Sequence, residues 1–224
     1  MKTVLVVAAH TDDEALGCGG TIARHVAEGD TVYAVFMADG VTSRAEASPQ
    51  DIENRNHAAE KAREILGITK NFYLGLPDNR LDSLPLIEVI QQLEPIIQQL
   101  QPAVVYTHHH GDLNVDHKIT HQAVLTACRP TPNNSVREIY TFEVMSSTEW
   151  ANPTCEPFIP NYFVEINDQL NIKIKALQAY LTEMREEPHS RSFSHIQHLA
   201  KHRGNAVGLE KAEAFFSIRT IRAQ

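Results

Sequence analysis

Residues 4–14, Val-Leu-Val-Val-Ala-Ala-His-Thr-Asp-Asp-Glu, decide the fold class of this chain. The run at 4–9 is continuously apolar and rich in valine, which is typical of a parallel strand covered on both faces. This run is too short for the hydrophobic region of a signal peptide, and it leads straight into acidic residues. Gly17, Gly19 and Gly20 then open a predicted helix that runs to about residue 28. The pattern therefore predicts a buried strand, a polar turn and a helix.

The rest of the chain alternates between short β-rich runs and segments with helical periodicity. Further strands are predicted at residues 32–38, 71–74, 103–107, 138–142, 162–166 and 215–219. Further helices are predicted at residues 50–66, 84–100, 115–128, 168–181 and 193–203, with Pro95 kinking the second of these. Strands that alternate with helices form βαβ units and a parallel sheet. Because no internal repeat or low-complexity linker interrupts the pattern, we expect an α/β fold in a single domain over residues 1–224.

Composition excludes several classes of function. The 20 Lys and Arg residues are outnumbered by 28 Asp and Glu residues, and no Lys/Arg run occurs, so nucleic acid and anionic membranes are poor partners. No apolar stretch approaches the roughly 20 residues that an integral membrane segment needs. Cys18, Cys128 and Cys155 are too few and too widely spaced for a disulfide framework or a cysteine-based zinc site. We therefore expect a cytoplasmic protein.

Two polar segments contain the candidate chemistry. His10–Glu14 follows the first predicted strand, and Gly111–His117 follows the strand predicted at 103–107. Loops at the carboxyl ends of parallel strands meet at one edge of the sheet, so we expect the two segments to lie close together. They combine imidazoles with carboxylates, a mixture that suits Zn²⁺ or Fe²⁺.

Spacing within these segments indicates a catalytic metal site. His10 and Asp13 lie three positions apart across a turn, so both can reach one ion, and His117 completes a set of three ligands. Asp12 is then free to take a proton from metal-bound water, and the natural reaction is hydrolysis of an amide or ester. A second interpretation remains open, because acids after a strand often serve only the helix dipole. The triplet His108–His110 is likewise typical of a solvated loop.

The same segments are similar to the motifs of one enzyme family. Ala9–Glu14 resembles the Ala-His-Pro-Asp-Asp-Glu motif of the PIG-L/LmbE-like deacetylases, with Thr11 in place of the usual proline. Asn114–His117 stands where that family carries its x-Pro-Asp-His segment. The stretches at 74–80, 173–177 and 212–215 also fit, so the resemblance spans nearly the whole chain.

This resemblance implies a Rossmann-like three-layer α/β/α sandwich with a mostly parallel sheet. It also implies a zinc-dependent N-deacetylase, with Fe²⁺ as the other candidate ion, acting on an N-acetylated amino sugar that is free, lipid-linked or nucleotide-linked. Carried over by position, the metal ligands are His10, Asp13 and His117. Asp12 would be the general base, Asp116 would orient a histidine, and Arg55 and Asp78 would contact substrate. Family members assemble in several oligomeric states, so a homo-oligomer stays open.

One departure from the family pattern concerns the catalytic acid. Many members carry a histidine three residues before the last ligand, where this chain has Asn114. An asparagine can donate a hydrogen bond to an oxyanion, but it cannot deliver a proton. We therefore expect Asn114 to be the oxyanion donor and Asp12 to shuttle the proton. A histidine of 108–110 or His189 is the other candidate acid.

A basic cluster, Arg185, His189 and Arg191, lies in a predicted loop between two helices of this acidic chain. It is either a solvated connector or a substrate rim where arginines grip a phosphate or carboxylate. Two further functions stay open for the whole chain: hydrolysis of another amide, such as a thiol conjugate, and metal or sugar binding without catalysis. Asp12 argues against binding alone, because a pure binding site needs no free carboxylate beside its metal.

Overall fold

The computed structural model describes residues 1–222, which form seven strands, six α-helices and two short 3₁₀ turns. The strands are β1 Thr3–Ala8, β2 Thr31–Ala38, β3 Lys70–Leu76, β4 Val104–His108, β5 Glu138–Phe142, β6 Tyr162–Glu165 and β7 Ala212–Thr220. The helices are α1 Asp13–Ala27, α2 Pro49–Leu66, α3 Leu86–Leu100, α4 Val115–Ala127, α5 Leu170–Ala179 and α6 Phe193–Asn205. The 3₁₀ turns are Leu81–Ser83 and Thr148–Trp150.

All seven strands belong to one sheet with the order β3-β2-β1-β4-β5-β7-β6. Neighbouring strands from β3 to β5 pair in parallel, whereas β7 pairs antiparallel with both β5 and β6. From β1 the order runs outward to β2 and β3 on one side and to β4 and β5 on the other. The carboxyl ends of β1 and β4 therefore flank the point where strand order reverses, which is the usual ligand crevice of such sheets.

Helices cover both faces of the sheet and give the predicted three layers. Helices α1, α2, α5 and α6 pack on one face, and α3 and α4 pack on the other. Val4, Val6 and Ala8 of β1 enter the first of these cores, while Leu5 and Val7 enter the second. Burial on both faces explains why the strand is apolar without alternation. The α/β fold with a mostly parallel sheet is confirmed.

Helix α1 begins earlier than the start predicted from Gly17, Gly19 and Gly20. It starts at Asp13, and its backbone leaves helical geometry at Cys18 (φ −145°, ψ 23°) before the helix resumes. Gly17 and Gly20 permit close packing instead of opening the helix: a Cβ on Gly17 would overlap the Phe142 ring of β5. A Cβ on Gly20 would lie 2.9 Å from the side chain of Ile166. The glycines therefore bring the helix close to the sheet.

A buried ion pair holds the irregular turn of α1. The ammonium of Lys173 donates to the Leu16 carbonyl oxygen at 2.8 Å and to the Glu213 carboxylate at 2.6 Å. The same carboxylate accepts hydrogen bonds from the backbone N–H groups of Gly20 and Thr21 at 3.0 and 2.6 Å. Glu213 thus caps the second half of α1, at an amino end where a negative charge is favoured.

Other predicted elements are present with small shifts of their ends. Helix α3 begins at Leu86 and continues through Pro95 as one element to Leu100. The prediction of a closing strand is confirmed, and β7 extends it in both directions. Among the helices of residues 1–222, none has the length and apolar character that crossing a bilayer requires.

The substitution Gly17→Ala is expected to destabilise the fold by about 1–3 kcal/mol, because the added methyl group overpacks the Phe142 ring. Urea unfolding measures this loss. Phe142→Leu should recover part of it in the double variant, so the two changes are expected to be non-additive. Purely additive effects, or a Gly17→Ala protein as stable as the wild type, would show that the two elements are not in tight contact.

Candidate active site

The sequence-predicted ligands come together where β1 and β4 end. Asp13 Oδ2 lies 3.3 Å from His10 Nδ1 and 3.3 Å from His117 Nε2. All three side chains are buried, and one potential ligand atom from each lies within 4.8 Å of the other two. The turn after β1 supplies His10, the first residue of α1 is Asp13, and the first turn of α4 supplies His117.

The spacing of these atoms fits a single cation. In a tetrahedral site with bonds of about 2.0–2.2 Å, ligand atoms stand roughly 3.3–3.5 Å apart. The two 3.3 Å separations from Asp13 Oδ2 agree with that value. The other carboxylate oxygen, Asp13 Oδ1, is buried without a hydrogen-bond partner. An unsatisfied buried carboxylate oxygen beside two imidazoles fits a site for a divalent metal.

Carboxylates outside this triad fix the orientation of His10. Its Nε2 lies 3.1 Å from Asp116 Oδ2 and 3.1 Å from Asp78 Oδ1, which leaves Nδ1 directed toward Asp13. These three residues form a second possible cation group. Asp116, however, already accepts hydrogen bonds from the backbone N–H groups of Asn79 and Leu81 at 2.6 and 3.0 Å. The first group is therefore the better candidate.

Asp112 occupies the corresponding position beside His117. Its Oδ1 lies 3.2 Å from His117 Nδ1. The hydroxyl groups of Ser147 and Thr148 both donate to the Asp112 carboxylate, Thr148 at 2.6 Å. These contacts hold the pKa of Asp112 well below its ordinary value, although burial raises it. An ionised carboxylate behind a ligating histidine fixes the ring and increases its basicity.

His108, the last residue of β4, completes the floor of the site. Its ring stacks on His117 with centroids 3.9 Å apart, and its Nε2 lies 3.5 Å from Asp13 Oδ2. The same nitrogen accepts a hydrogen bond from the Ala9 N–H at 2.8 Å. Burial and the neighbouring His117 hold the pKa of His108 well below its ordinary value. His108 is therefore a neutral, buried ring and not part of a solvated loop.

The electrostatics of the site favour positive charge. Burial alone would lower the pKa of His10 and His117, but the carboxylates around them outweigh it. As a result the pKa of His10 lies well above its ordinary value, and that of His117 rises to about 9. Against the effect of burial, the imidazoles hold the pKa of Asp13 well below its ordinary value. Surroundings that stabilise an imidazolium also stabilise a bound cation.

Asp12 has an unusual backbone conformation, with φ 122°. For a residue with a side chain this conformation costs on the order of 1–3 kcal/mol and must be held by its surroundings. The Asp12 N–H donates to Glu14 Oε2 at 3.0 Å, and Glu14 Oε1 accepts from the Tyr180 hydroxyl at 2.7 Å. Ala15 and Leu16 donate their N–H groups to the Asp12 carbonyl at 3.1 and 2.9 Å. The turn separates the Asp12 side chain from that of Asp13.

The Asp12 carboxylate lies between two arginines. Arg191 Nη1 donates to its Oδ2 at 2.9 Å, and Arg55 Nη2 lies 3.5 Å from its Oδ1. Burial raises the pKa of Asp12 above its ordinary value, while both arginines oppose the rise. Arg55 also donates to the hydroxyl and carbonyl oxygens of Thr11, each at 2.9 Å, and pairs with Glu183 at 2.9 Å.

The other side chains that the sequence predicts to contact substrate lie in different parts of the structure. Asp78 is buried next to His10 and is not at the open surface. Burial raises its pKa, but hydrogen bonds from His10 and Ser43 outweigh this effect and lower the pKa to about 2. Arg185 donates to the carbonyl oxygens of residues 182 and 184 in its own loop. His189 Nδ1 accepts the Arg191 N–H at 3.0 Å. The basic cluster is therefore divided: Arg191 reaches Asp12, whereas the side-chain hydrogen bonds of Arg185 stay within its own loop.

Asn114 is the N-cap of α4. Its Oδ1 accepts the N–H groups of Asp116 and His117 at 2.8 and 3.4 Å, and its Nδ2 donates to Asn79 Oδ1 at 3.1 Å. Because an amide nitrogen has two hydrogens, one donor remains for another partner. Asn114 thus fixes the helix end that holds His117 and retains a free N–H.

Several residues around this site have no assigned role in the sequence prediction, among them Asp112, Glu14 and Tyr180. Asp112 and Glu14 lie inside the two polar segments, so their acidity in those segments was a usable signal. Tyr180 is 166 positions from Glu14, and nothing in the local pattern links the two.

Comparisons with known proteins identify the family of the chain. Residues 5–128 match the family described as PIG-L: GlcNAc-PI de-N-acetylase. The uncharacterized deacetylase YaiS of Escherichia coli (strain K12) is 31% identical over 185 residues, covering 80% of this chain and 90% of that protein. The diacetylchitobiose deacetylase of Thermococcus kodakarensis is 26% identical over 233 residues, covering 95% of this chain and 82% of that protein.

Solved structures share the fold at lower identity. The N,N'-diacetylchitobiose deacetylase of Pyrococcus horikoshii aligns with a TM-score of 0.79 and 23% identity, over 97% of this chain and 84% of that one. GalB, the 4-carboxy-2-hydroxymuconate hydratase of Pseudomonas putida KT2440, aligns with a TM-score of 0.78 and 20% identity, over 100% and 99% of the two chains. The family match over residues 5–128 and the 31% identity to YaiS decide the relationship: this protein belongs to the PIG-L family.

Proposed function

We propose that this protein is a metal-dependent hydrolase, folded as one domain, that removes the acetyl group from an N-acetylated amino sugar. The observation that carries the proposal is the Asp12 carboxylate, held in a strained turn between the proposed ligands His10 and Asp13. The family description names de-N-acetylation, and the diacetylchitobiose deacetylase relative acts on an acetylated sugar. The products would be acetate and the free amine.

His10, Asp13 and His117 would hold the metal, with Zn²⁺ as the first candidate because two imidazoles and one carboxylate suit it. When bound there, the ion supplies Lewis acidity that polarises an amide carbonyl and makes water more acidic. Asp112 and Asp116 would keep the two imidazoles oriented. Fe²⁺ is the alternative ion for the same donor set.

Asp12 would take the proton from the attacking water. Arg191 and Arg55 position its carboxylate, and burial raises its pKa toward the range in which a carboxylate is an effective base. The remaining N–H of Asn114 would donate to the oxygen of the tetrahedral intermediate. The C–N bond then breaks as the nitrogen receives a proton.

Asp12 is also the best candidate to deliver that proton. Because His108 accepts a backbone hydrogen bond and stays neutral, it is a poor acid. His109 Nε2 lies 2.9 Å from the Glu156 carbonyl oxygen, and His189 Nδ1 accepts the backbone N–H of Arg191 in its own loop. A carboxyl group that has just taken a proton from water can return it to the leaving nitrogen.

We also infer that the protein works in the cytoplasm. Cys18, Cys128 and Cys155 are all free thiols, and the first two are buried. Free thiols are characteristic of reducing compartments. The thiols take no part in the proposed chemistry.

Asp12→Asn is expected to retain one metal per chain and to lose about 10²–10⁴-fold in kcat, because the amide cannot accept the proton. His117→Ala should lose both metal and activity. Acetate release from N-acetylated sugars and metal content by mass spectrometry measure the two effects. Asp168→Asn, at an exposed site, is the matched control. Near-normal turnover in Asp12→Asn would rule out the proposed base.

Asn114→Ser separates the two properties of that residue. Serine is also a good N-cap, so the melting temperature should stay close to that of the wild type. It lacks the amide donor, so kcat is expected to fall by about 10²-fold. Acetate release and thermal unfolding on the same samples give both values. An unchanged kcat would leave Asn114 as a helix cap alone.

Metal removal is expected to abolish acetate release and to lower thermal stability. With free Zn²⁺ at about 100 times its Kd, binding should raise the melting temperature by roughly 5–10 °C for a chain of this size. The shift should be absent in His117→Ala. A chelated protein that keeps its activity and its melting temperature would contradict the metal assignment.

A further inference from the structure

Trp150 is the single tryptophan of the chain, and 55% of its surface is exposed. It ends the 3₁₀ turn Thr148–Trp150, which follows β5 at the same edge of the sheet as the proposed active site. Tryptophan has a large apolar surface that is usually mostly buried. An exposed indole at this edge therefore offers a flat surface for binding.

The turn that presents Trp150 is fixed to the proposed metal site. The hydroxyl groups of Ser147 and Thr148 donate to Asp112, which lies 3.2 Å from the ring of His117. The Thr148 hydroxyl also accepts the Val144 N–H at 2.8 Å. The position of the indole is therefore set by the same carboxylate that orients a proposed metal ligand.

A second set of contacts connects Trp150 with Asp12. The indole meets the His189 ring edge to face, with centroids 5.6 Å apart. His189 Nδ1 accepts the Arg191 N–H at 3.0 Å, and Arg191 donates to Asp12 at 2.9 Å. Two complete side chains thus separate the indole from Asp12. The indole therefore lies on the side of Asp12 from which Arg191 approaches, and Arg191 Nε also donates to the Met145 carbonyl oxygen, just before the turn that carries Trp150, at 3.1 Å.

We propose that Trp150 is the stacking surface for a second ring of the substrate, next to the N-acetylated sugar. The proposal rests on the function proposed above. A pyranose has one face of C–H groups, which packs on an aromatic ring as other apolar groups do, and its hydroxyl groups stay in water. The preferred substrate class is therefore a glycoside with at least two rings, such as an N-acetylated disaccharide, over a monosaccharide.

A second groove near Arg55 could receive such a ring instead. Its volume is about 520 Å³, and it lies between α2 and residues 178–183. Its arginines are already paired, because Arg44 and Arg55 contact Glu183 at 3.0 and 2.9 Å. Leu181, which is 63% exposed, lines this groove and supplies a matched control for Trp150.

The test compares acetate release from N,N'-diacetylchitobiose and from N-acetylglucosamine, with zinc supplied. In Trp150→Ala, the ratio of kcat/KM for the disaccharide to kcat/KM for the monosaccharide should fall about tenfold, with partial recovery in Trp150→Phe. Leu181→Ala should leave this ratio at its wild-type value. An unchanged ratio in Trp150→Ala would overturn the proposal, and so would a loss of preference in Leu181→Ala alone.

Fluorescence gives a readout that does not depend on turnover. Because Trp150 is the only tryptophan, the emission of the protein reports this indole directly. Titrating Asp12→Asn with N,N'-diacetylchitobiose should change the emission saturably, and N-acetylglucosamine should have a much smaller effect. No change with the disaccharide would overturn the stacking proposal. Absence of acetate from both sugars with the wild type, beside a saturable fluorescence change, would instead contradict the deacetylase function.

Discussion

The completely buried carboxylate of Asp13 is the group on which the rest of the site depends. Burying a charge is costly unless opposite charge or hydrogen-bond donors surround it. Here nitrogens of His10 and His117 each lie 3.3 Å from one oxygen, and the backbone N–H of His10 donates to that oxygen at 2.9 Å. These groups come from the turn after β1 and the start of α4. The carboxylate therefore unites the two halves of the sheet at the place where its strand order reverses.

Much of this arrangement could be predicted from local pattern. The uninterrupted apolar run before His10 indicates a strand buried on both faces, and the order of elements places the segment ending at His117 beside it. The predicted start of α1 is wrong, because the glycines at 17 and 20 do not open the helix. Their actual role is close contact with Phe142 and Ile166, which depends on tertiary packing and leaves no local signal.

The sequence does not indicate which side chains hold the Asp12 carboxylate in place. The basic side chain of Arg191 makes it a predicted substrate contact, and in the structure this side chain pairs with a carboxylate 179 positions away. Thr11 stands where the PIG-L/LmbE-like motif has a proline. Its hydroxyl group accepts a hydrogen bond from Arg55. The fold alone does not determine the reaction, since the hydratase GalB has the same fold. The proposed chemistry depends on which side chains hold Asp12.

The cap on α1 has a consequence for biosynthesis. Glu213 belongs to β7, the last strand within residues 1–222, yet it holds the helix that begins at Asp13. Chains leave the ribosome from the amino end, and parallel pairing must wait for distant partners. The proposed ligand turn is therefore synthesised well before the strand that secures it. A nascent chain therefore carries the proposed ligands before it has the framework that holds them, and the proposed activity requires synthesis to continue past β7.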